Sequence, residues 1–365
     1  AITYGGAGQP LQSTFNYDEV IATSLMSYRP KMVDNISQSN IVLMEMKAKG
    51  GWKKEPGSLA IAVDLMYALA PTDSYEGMDA LSLATTEGIT QAQFQWRQIA
   101  TPIAFSELER KKNKHRIANL IESKIWQAEV GIKDAFTKHL LWGSLAGTGS
   151  DIRLPYVSPT NGSTSVDSLG SLVTYSPTQS VTVGGINQNT STWWRNIAVA
   201  SVATTDSGFI QELLHLYNTV SKGQGSVGGP PKMALTDQTT WEVLSVAYYN
   251  KYRTEMASGG NYPFPTVKFM DTVVAWDPYC PNVAANASAG STDPDAATGG
   301  SFYFLSPEYL NLVTEEETDF VLTDRVRPAN QDAKFQHILW MGGFVASNRR
   351  KQGVMGAIAR TLTHT

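Results

Sequence analysis

Ser106–Trp142 reads SELERKKNKHRIANLIESKIWQAEVGIKDAFTKHLLW, a stretch without proline in which Gly131 is the one weak helix former. Ile117, Leu120, Ile121, Ile125, Ala128, Ile132, Ala135, Phe136 and Leu140 recur at steps of three and four, which places them on one stripe of a helix. Lys114, Glu122, Lys133, Asp134 and Lys138 fall mostly off that stripe, so the opposite face is wet. Ser106 followed by Glu109 has capping-box spacing, and Gly143 supplies the stop. A helix over 106–142 is roughly 50 Å long at about 1.5 Å per residue. A half-buried spine of that length points to architecture more than to chemistry.

Ahead of the spine, 58–70 (SLAIAVDLMYALA) and 89–105 (ITQAQFQWRQIATPIAF) read as strands flanking a broad tip. In the second run Gln91, Gln93, Gln95 and Arg97 alternate with Ala92, Phe94 and Trp96, the period of a half-buried strand. The pair predicts a long antiparallel hairpin. Over 56–105 the one cation is Arg97, against Asp64, Asp73, Glu76, Asp79 and Glu87, whereas the spine opens with Lys111, Lys112, Lys114 and Arg116. The five acids and the four cations of the spine are the candidate contacts between an extended loop and a neighbouring spine. A two-stranded ribbon has too little core to stand alone, so it needs support from this chain's body or from a neighbour.

Residues 1–15 predict an extended arm. Asn16 or Asp18 begins a short helix carrying Val20, Ile21, Leu25 and Met26, ended or kinked at Pro30, and 47–57 (KAKGGWKKEPG) reads as a basic, glycine-rich joint. After the spine, 144–200 is rich in Gly, Ser and Thr, which predicts short strands and loops. Asp206 or Ser207 caps a helix with Phe209, Ile210, Leu213, Leu214 and Tyr217; Asp237 caps another with Trp241, Val243, Leu244, Val246 and Tyr248. Between them PKMALTD predicts a buried strand, and 264–276 predicts paired strands. Residues 281–300 are too poor in bulky apolar side chains to pack. Strands return at 301–305, 309–313 and 319–326, and 331–358 reads as a long strand broken or bent at Gly342 and Gly343.

The 365 residues leave room for two or three domains. With 42% hydrophobic and 17% charged residues and nine tryptophans, the chain is globular and lightly charged, as expected if partners cover part of its surface. A net charge of -4 argues against sequence-reading of nucleic acid. No apolar run approaches the roughly 20 residues that span a bilayer, and AITYGGAGQP lacks the grammar of a signal peptide. The one cysteine, Cys280, excludes an internal disulfide and a cysteine-based zinc site, and reads as structural.

Chemistry has little purchase. His115, His139, His215, His337 and His364 are scattered without the spacing of a helical zinc site, and phosphate-loop, dinucleotide and nucleophile-elbow patterns are absent. Glu315, Glu316, Glu317 and Asp319 carry the carboxylates a hard cation needs, but successive strand residues face opposite ways, so a solvated turn is the better reading. Arg349, Arg350 and Lys351 read as a solvated or interface patch rather than a phosphate site, because the chain is acidic. The sequons at Asn161 and Asn189 read as chance. No catalytic residue, cofactor or metal is expected.

Three segments, GITQAQFQWRQIATPIAFSELERKKN, VGGINQNTSTWWRN and NQDAKFQHILWMGGFVASNRRKQGV, together with the order of arm, hairpin, spine, α+β insertion and returning strand, resemble the major capsid proteins of tailed bacteriophages, the Hong Kong 97-type coat proteins. The resemblance runs from about Tyr17 to Ile358. It implies an α+β fold with an N-terminal arm over 1–55, an extended loop over 56–105, a peripheral domain over 106–204 and 331–365, and an axial domain over 205–330. It also implies assembly of pentamers and hexamers into an icosahedral head in the host cytoplasm. Scaffolding, portal and possible cement or decoration proteins would be partners, with double-stranded DNA packaged without sequence-specific contacts. Some members cross-link their shells through a lysine on the extended loop; here no lysine lies between Lys54 and Lys111, which implies a non-covalent shell. No cleavable scaffolding segment is evident ahead of the arm, so the resemblance implies one already removed or a separate scaffolding protein. An encapsulin-like nanocompartment shares the fold and is the nearest alternative. Outside this class stand a carboxylate-dependent hydrolase using acids near Glu315 and a sugar-binding module using the tryptophans.

Overall fold

The computed structural model describes residues 41–48, 50–70, 72, 74–78, 87–112, 120–145, 153–154, 165–222, 229–252, 267–281, 299–328 and 331–359. The expected arm helix near Val20–Met26 and the 281–300 loop, but for its ends, lie outside them.

Along the chain, helix α1 (Ile41–Ala48) leads into β1 (Trp52–Glu55), so the basic joint is in part a strand. The hairpin follows as β2 (Ile61–Met66) and β3 (Ile89–Phe94). The run expected as one strand over 89–105 is interrupted at Gln95–Trp96 and resumes as β4 (Arg97–Ser106). Helices α2 (Glu107–Lys112) and α3 (Leu120–Leu141) occupy the spine stretch, with 113–119 outside the described residues. Next come β5 (Ser144–Leu145), β6 (Arg153–Leu154), α4 (Leu169–Leu172), β7 (Thr182–Val183), β8 (Ile186–Asn187), a turn of 3-10 helix at Thr192–Trp194, and β9 (Ile197–Ala200). The remainder runs α5 (Asp206–Ser221), β10 (Met233–Thr236), α6 (Gln238–Tyr252), β11 (Val267–Phe269), β12 (Thr272–Trp276), β13 (Gly300–Leu305) and β14 (Leu310–Glu315). It ends with β15 (Val321–Leu322), β16 (Ala333–Ala346), a 3-10 turn at Arg349–Lys351 and β17 (Gly353–Ile358).

The chain divides into two compact units, one formed by residues 1–37, 100–133 and 322–338, the other by the rest. In the first, Ser106 N–H donates to Glu109 and the Ser106 hydroxyl accepts from Leu108 N–H, so the start of α2 is capped much as its spacing predicts. Ion pairs Lys124–Glu109 and Lys334–Glu107 hold the acids of that first turn. The core there is Ile103, Phe105, Ala128, Ile132 and Ile338, the spine stripe supplying two of the five. Further along the stripe Phe136 and Leu140 are buried in the second unit, with Ala135 half-buried, and Gly143 at φ +67° ends the helix.

The second unit is organised by a six-stranded mixed sheet in the order β11-β12-β10-β13-β17-β9. Its side chains alternate between two cores, as a strand's period of two requires. Ala234, Phe302, Phe304 and Met355 face α5 and α6 through Phe209, Leu213, Leu216 and Leu244. Met233, Leu235, Tyr303, Leu305 and Val354 face the larger core with Leu140, Trp194, Leu312 and Trp340. Each such fully buried side chain contributes about 1.5–3 kcal/mol. Two caps differ in their fit to expectation: Asp237 caps α6 through Thr240 N–H as read, whereas the α5 cap is Thr205, whose hydroxyl accepts from Gly208 N–H. Asp206 is already inside that helix.

A second sheet has the order β1-β14-β16-β15, with β4 also on β16. Strand β16 passes through Gly342 and Gly343 without a break, contrary to the expected bend. Both glycines serve close approach instead. A Cβ at Gly342 would lie 2.4 Å from Val313 O and 2.5 Å from Trp340 Cζ2, and one at Gly343 would lie 2.6 Å from Ile61 Cδ1. The chain turns at Ser347–Gln352.

Candidate assembly surface

The hairpin is the part of the second unit whose sequence most needs support. Strands β2 and β3 pair antiparallel from Ile61↔Phe94 to Met66↔Ile89. Ile61, Leu65, Ala92 and Phe94 point inward and belong to the large core, Gln93 N–H donates to Gly184 O, and Tyr67 stacks on Trp193 at 5.2 Å. The base of the ribbon therefore rests on its own chain, the first of the two supports that its sequence allows.

What it leaves uncovered is its other face and its tip. Leu59, Met66, Tyr67, Leu69, Tyr75, Met78 and Ile89 are exposed, half of the fourteen large exposed apolar residues among those described. Met66, Met78 and Ile89 are 72%, 104% and 78% exposed. Apolar residues concentrated on the uncovered side of one hairpin mark a contact surface.

The candidate charges divide accordingly. Asp64 is exposed and accepts from Gln91 Nε2 at 3.0 Å across the ladder; Glu76 and Glu87 are exposed; Asp73 and Asp79 lie outside the described residues. Lys111 and Lys112 are exposed at the end of α2, in the other unit, and Lys114 and Arg116 lie outside the described residues.

Glu315 accepts from Glu317 N–H and from the Thr318 hydroxyl, and Asp319 pairs with Lys54 at 2.7 Å, so this acidic run is a self-bonded turn. Among the described residues no group of three potential ligands is poised for a metal ion. Cys280 is fully buried near the Ser301 hydroxyl. His139 is held down to about 4 by burial and by Lys138. Asp277 is pushed up to about 6 by burial, against the pull of Tyr279 N–H, with Asp134 adding repulsion; Asp167 is likewise pushed up to about 6 by burial, against Arg97.

The basic patch is not a solvated one. Arg349 is 1% exposed, donates to Leu172 O, Trp194 O, Gln188 Oε1 and Asn196 Oδ1, and lies over the Trp194 ring. Burial lowers it to about 9. Lys351 donates to the carbonyls of Val220, Ser221 and Lys222 at the end of α5, where the helix dipole favours a cation. Nothing in three consecutive basic residues distinguishes this from an exposed run; Arg350 between them is exposed, as a 3-10 turn dictates.

No family model matches the chain, and no curated protein matches it in sequence. Solved structures do match in fold. One is the capsid asymmetric unit of cyanophage A-1(L), at 15% identity and a TM-score of 0.60, over 90% of this chain and 96% of that one. The capsid of a native GTA particle matches at 12% identity and 0.51, over 97% and 100%. The SrpI encapsulin of Synechococcus elongatus PCC 7942 matches at 8% identity and 0.52, over 92% and 95%. The chain thus has the α+β fold of shell-forming proteins. Over nine-tenths or more of its length that fold is the one found in phage capsid chains, the Hong Kong 97-like fold.

Proposed function

We propose that the chain is a major capsid protein, which assembles into the icosahedral head of a tailed phage around double-stranded DNA. The likeness to the cyanophage A-1(L) capsid chain over nearly all of both chains carries this reading. The exposed apolar residues of the hairpin support it, because an uncovered apolar surface on one element suits heterologous association into rings. On this reading 1–55 is the arm, 56–105 the extended loop, 106–204 with 331–365 the peripheral domain, and 205–330 the axial domain, its sheet completed by β9 and β17. The role is structural, with scaffolding, portal and cement proteins as separate partners and the virion as location.

The test is the particle itself. Purified chain, alone or with a scaffolding partner, is expected to form closed shells visible by electron microscopy; a stable monomer under all assembly conditions overturns the reading. A second reading, an encapsulin-like compartment, is favoured by the SrpI match. Staining for nucleic acid separates the two, since a genome-filled particle excludes a protein-cargo shell.

A further inference from the structure

The 3-10 turns at Thr192–Trp194 and Arg349–Lys351 border a depression of about 380 Å³, lined by Thr192, Trp193, Arg195, Asn196, Ile197 and Arg350. That volume falls within the roughly 300–1,000 Å³ of small-ligand sites. Two of the lining side chains are already occupied by their own chain. Tyr67 stacks on the Trp193 indole at 5.2 Å, and Asn196 Oδ1 accepts from Thr174 N–H and from Arg349 while its amide donates to Thr174 O. The cations are held in place but not neutralised. Arg195 donates through Nε to Gln188 O at 2.8 Å and through Nη2 to Asn189 O at 2.7 Å, which fixes the guanidinium plane and leaves Nη1 to donate elsewhere. Arg350, exposed on the other turn, pairs with no carboxylate among the described residues. Beside them, buried Arg349 shares Asn196 Oδ1 and bonds only neutral acceptors; lowered by burial to about 9, it is still charged at pH 7. Three guanidiniums thus surround one depression with no carboxylate paired to them among the described residues. The net charge of -4 does not cancel this field, because exposed charges beyond a Debye length of about 10 Å at 0.1 M salt are screened.

We propose that this depression binds an oxyanion of the phosphate class, held by Arg195 Nη1, the Arg350 guanidinium and the hydroxyl of exposed Thr192. Donors on three residues from two turns suit a tetrahedral group with three strong acceptor oxygens, whereas a planar carboxylate offers two in one plane. The planar fork of arginine matches phosphate geometry and is more weakly hydrated than a lysine ammonium, so it gives up less water on binding. A phosphate ester in solution and the backbone of a nucleic acid present the same group, and both meet the same three donors. Every one of those donors belongs to a single chain, so the site does not rest on the shell reading.

Titration of the full, unassembled chain with inorganic phosphate at low chloride tests it, read by calorimetry and by thermal melting. Phosphate is expected to bind and to raise the melting temperature, and acetate at the same concentration is expected to do neither. Arg350→Gln is expected to weaken phosphate binding about tenfold or more, since it removes charged hydrogen bonds, while its melting without phosphate matches wild type. Arg195→Lys keeps the charge and loses the fork, and is expected to weaken binding by a smaller factor. A short double-stranded DNA oligonucleotide separates the two sources. Competition with phosphate, lost in Arg350→Gln, identifies the nucleic-acid backbone; phosphate binding without such competition identifies a free phosphate. Absence of phosphate binding, equal binding by Arg350→Gln, or acetate binding as tightly as phosphate overturns the site. Because the titration is read on unassembled chain, failure to form shells overturns the capsid reading and leaves this result standing.

Discussion

The Tyr279 hydroxyl donates to Asp134 Oδ1 at 3.0 Å, joining the turn after β12 to the face of α3 that its apolar stripe leaves polar. Burial and the neighbouring Asp134 push the phenol up to about 12, so it remains a donor at every pH of interest. Tyr279→Phe removes the donor and keeps the ring. The expected cost is about 1 kcal/mol, with a larger loss in Asp134→Ala/Tyr279→Phe only if the carboxylate has a second role. Chemical denaturation of the unassembled chain measures both.

Asp277 and Asp134 are close enough to repel, and buried Asp277 accepts from Tyr279 N–H through Oδ1. Because its folded value is raised to about 6 from 3.8, the charged form costs stability above pH 6, and that cost is relieved as pH falls from 6 towards 4. His139, lowered to about 4, works the other way and costs stability as pH falls from 6.5 to 4. The two are separated by comparing variants. Asp277→Asn is expected to be more stable than wild type at pH 7.5, by an amount of order 1–3 kcal/mol, and to lose that advantage by pH 4.5. An advantage independent of pH would show that desolvation of the carboxylate is not its origin.

Much of the fold is legible in the residue pattern because its signals are local. Ala128, Ile132, Phe136 and Leu140 of the stripe are buried, Gly143 stops the helix and Asp237 caps α6, each determined within a few residues. What is not legible depends on distant partners. Gly342 reads equally well as a bend or as a close approach until Val313 O and the Trp340 ring are in place. Arg349 reads as surface until acceptors from Leu172, Gln188, Trp194 and Asn196, more than 150 residues away, converge on it. The candidate surface divides in the same way. The acids of the hairpin are evident from composition, but the support under its base comes from 183–193, a stretch with no period to announce it.

The close approach makes Gly342 and Gly343 unequal. Alanine at 342 meets a backbone carbonyl and a packed indole, neither of which gives way, so Gly342→Ala is expected to cost at least about 2–3 kcal/mol. Alanine at 343 meets the far end of the Ile61 side chain, which can rotate, and is expected to cost about 1 kcal/mol. Thermal melting of the two variants ranks them, and the reverse order would refute the role assigned to each glycine.

Arg349 fastens the turn after β16 to α4 and to the 188–196 loop through four acceptors. Arg349→Met fills similar space and strands those acceptors in a dry site, at an expected cost of about 3 kcal/mol. Arg349→Lys keeps a cation but cannot reproduce the planar fork, so it is expected to rescue little. A lysine variant as stable as wild type would mean that charge alone, and not the fork, holds this site.

A last consequence concerns how a shell of this chain is held together. The hairpin has no lysine, and none occurs between Lys54 and Lys111, so no amine on the extended loop is available for an isopeptide bond. Lys54 at its base is already engaged with Asp319. On the capsid reading, cohesion between copies is expected to come from apolar surface such as Met66, Met78 and Ile89, which is exposed, and from charge pairs, all of them reversible. Mature particles boiled in detergent are expected to run as a single band of monomer, 39.8 kDa for these 365 residues. Because charge pairs weaken with salt while apolar burial does not, molar chloride is expected to loosen the particles only in part. A ladder of covalent multimers on the denaturing gel would overturn the non-covalent shell.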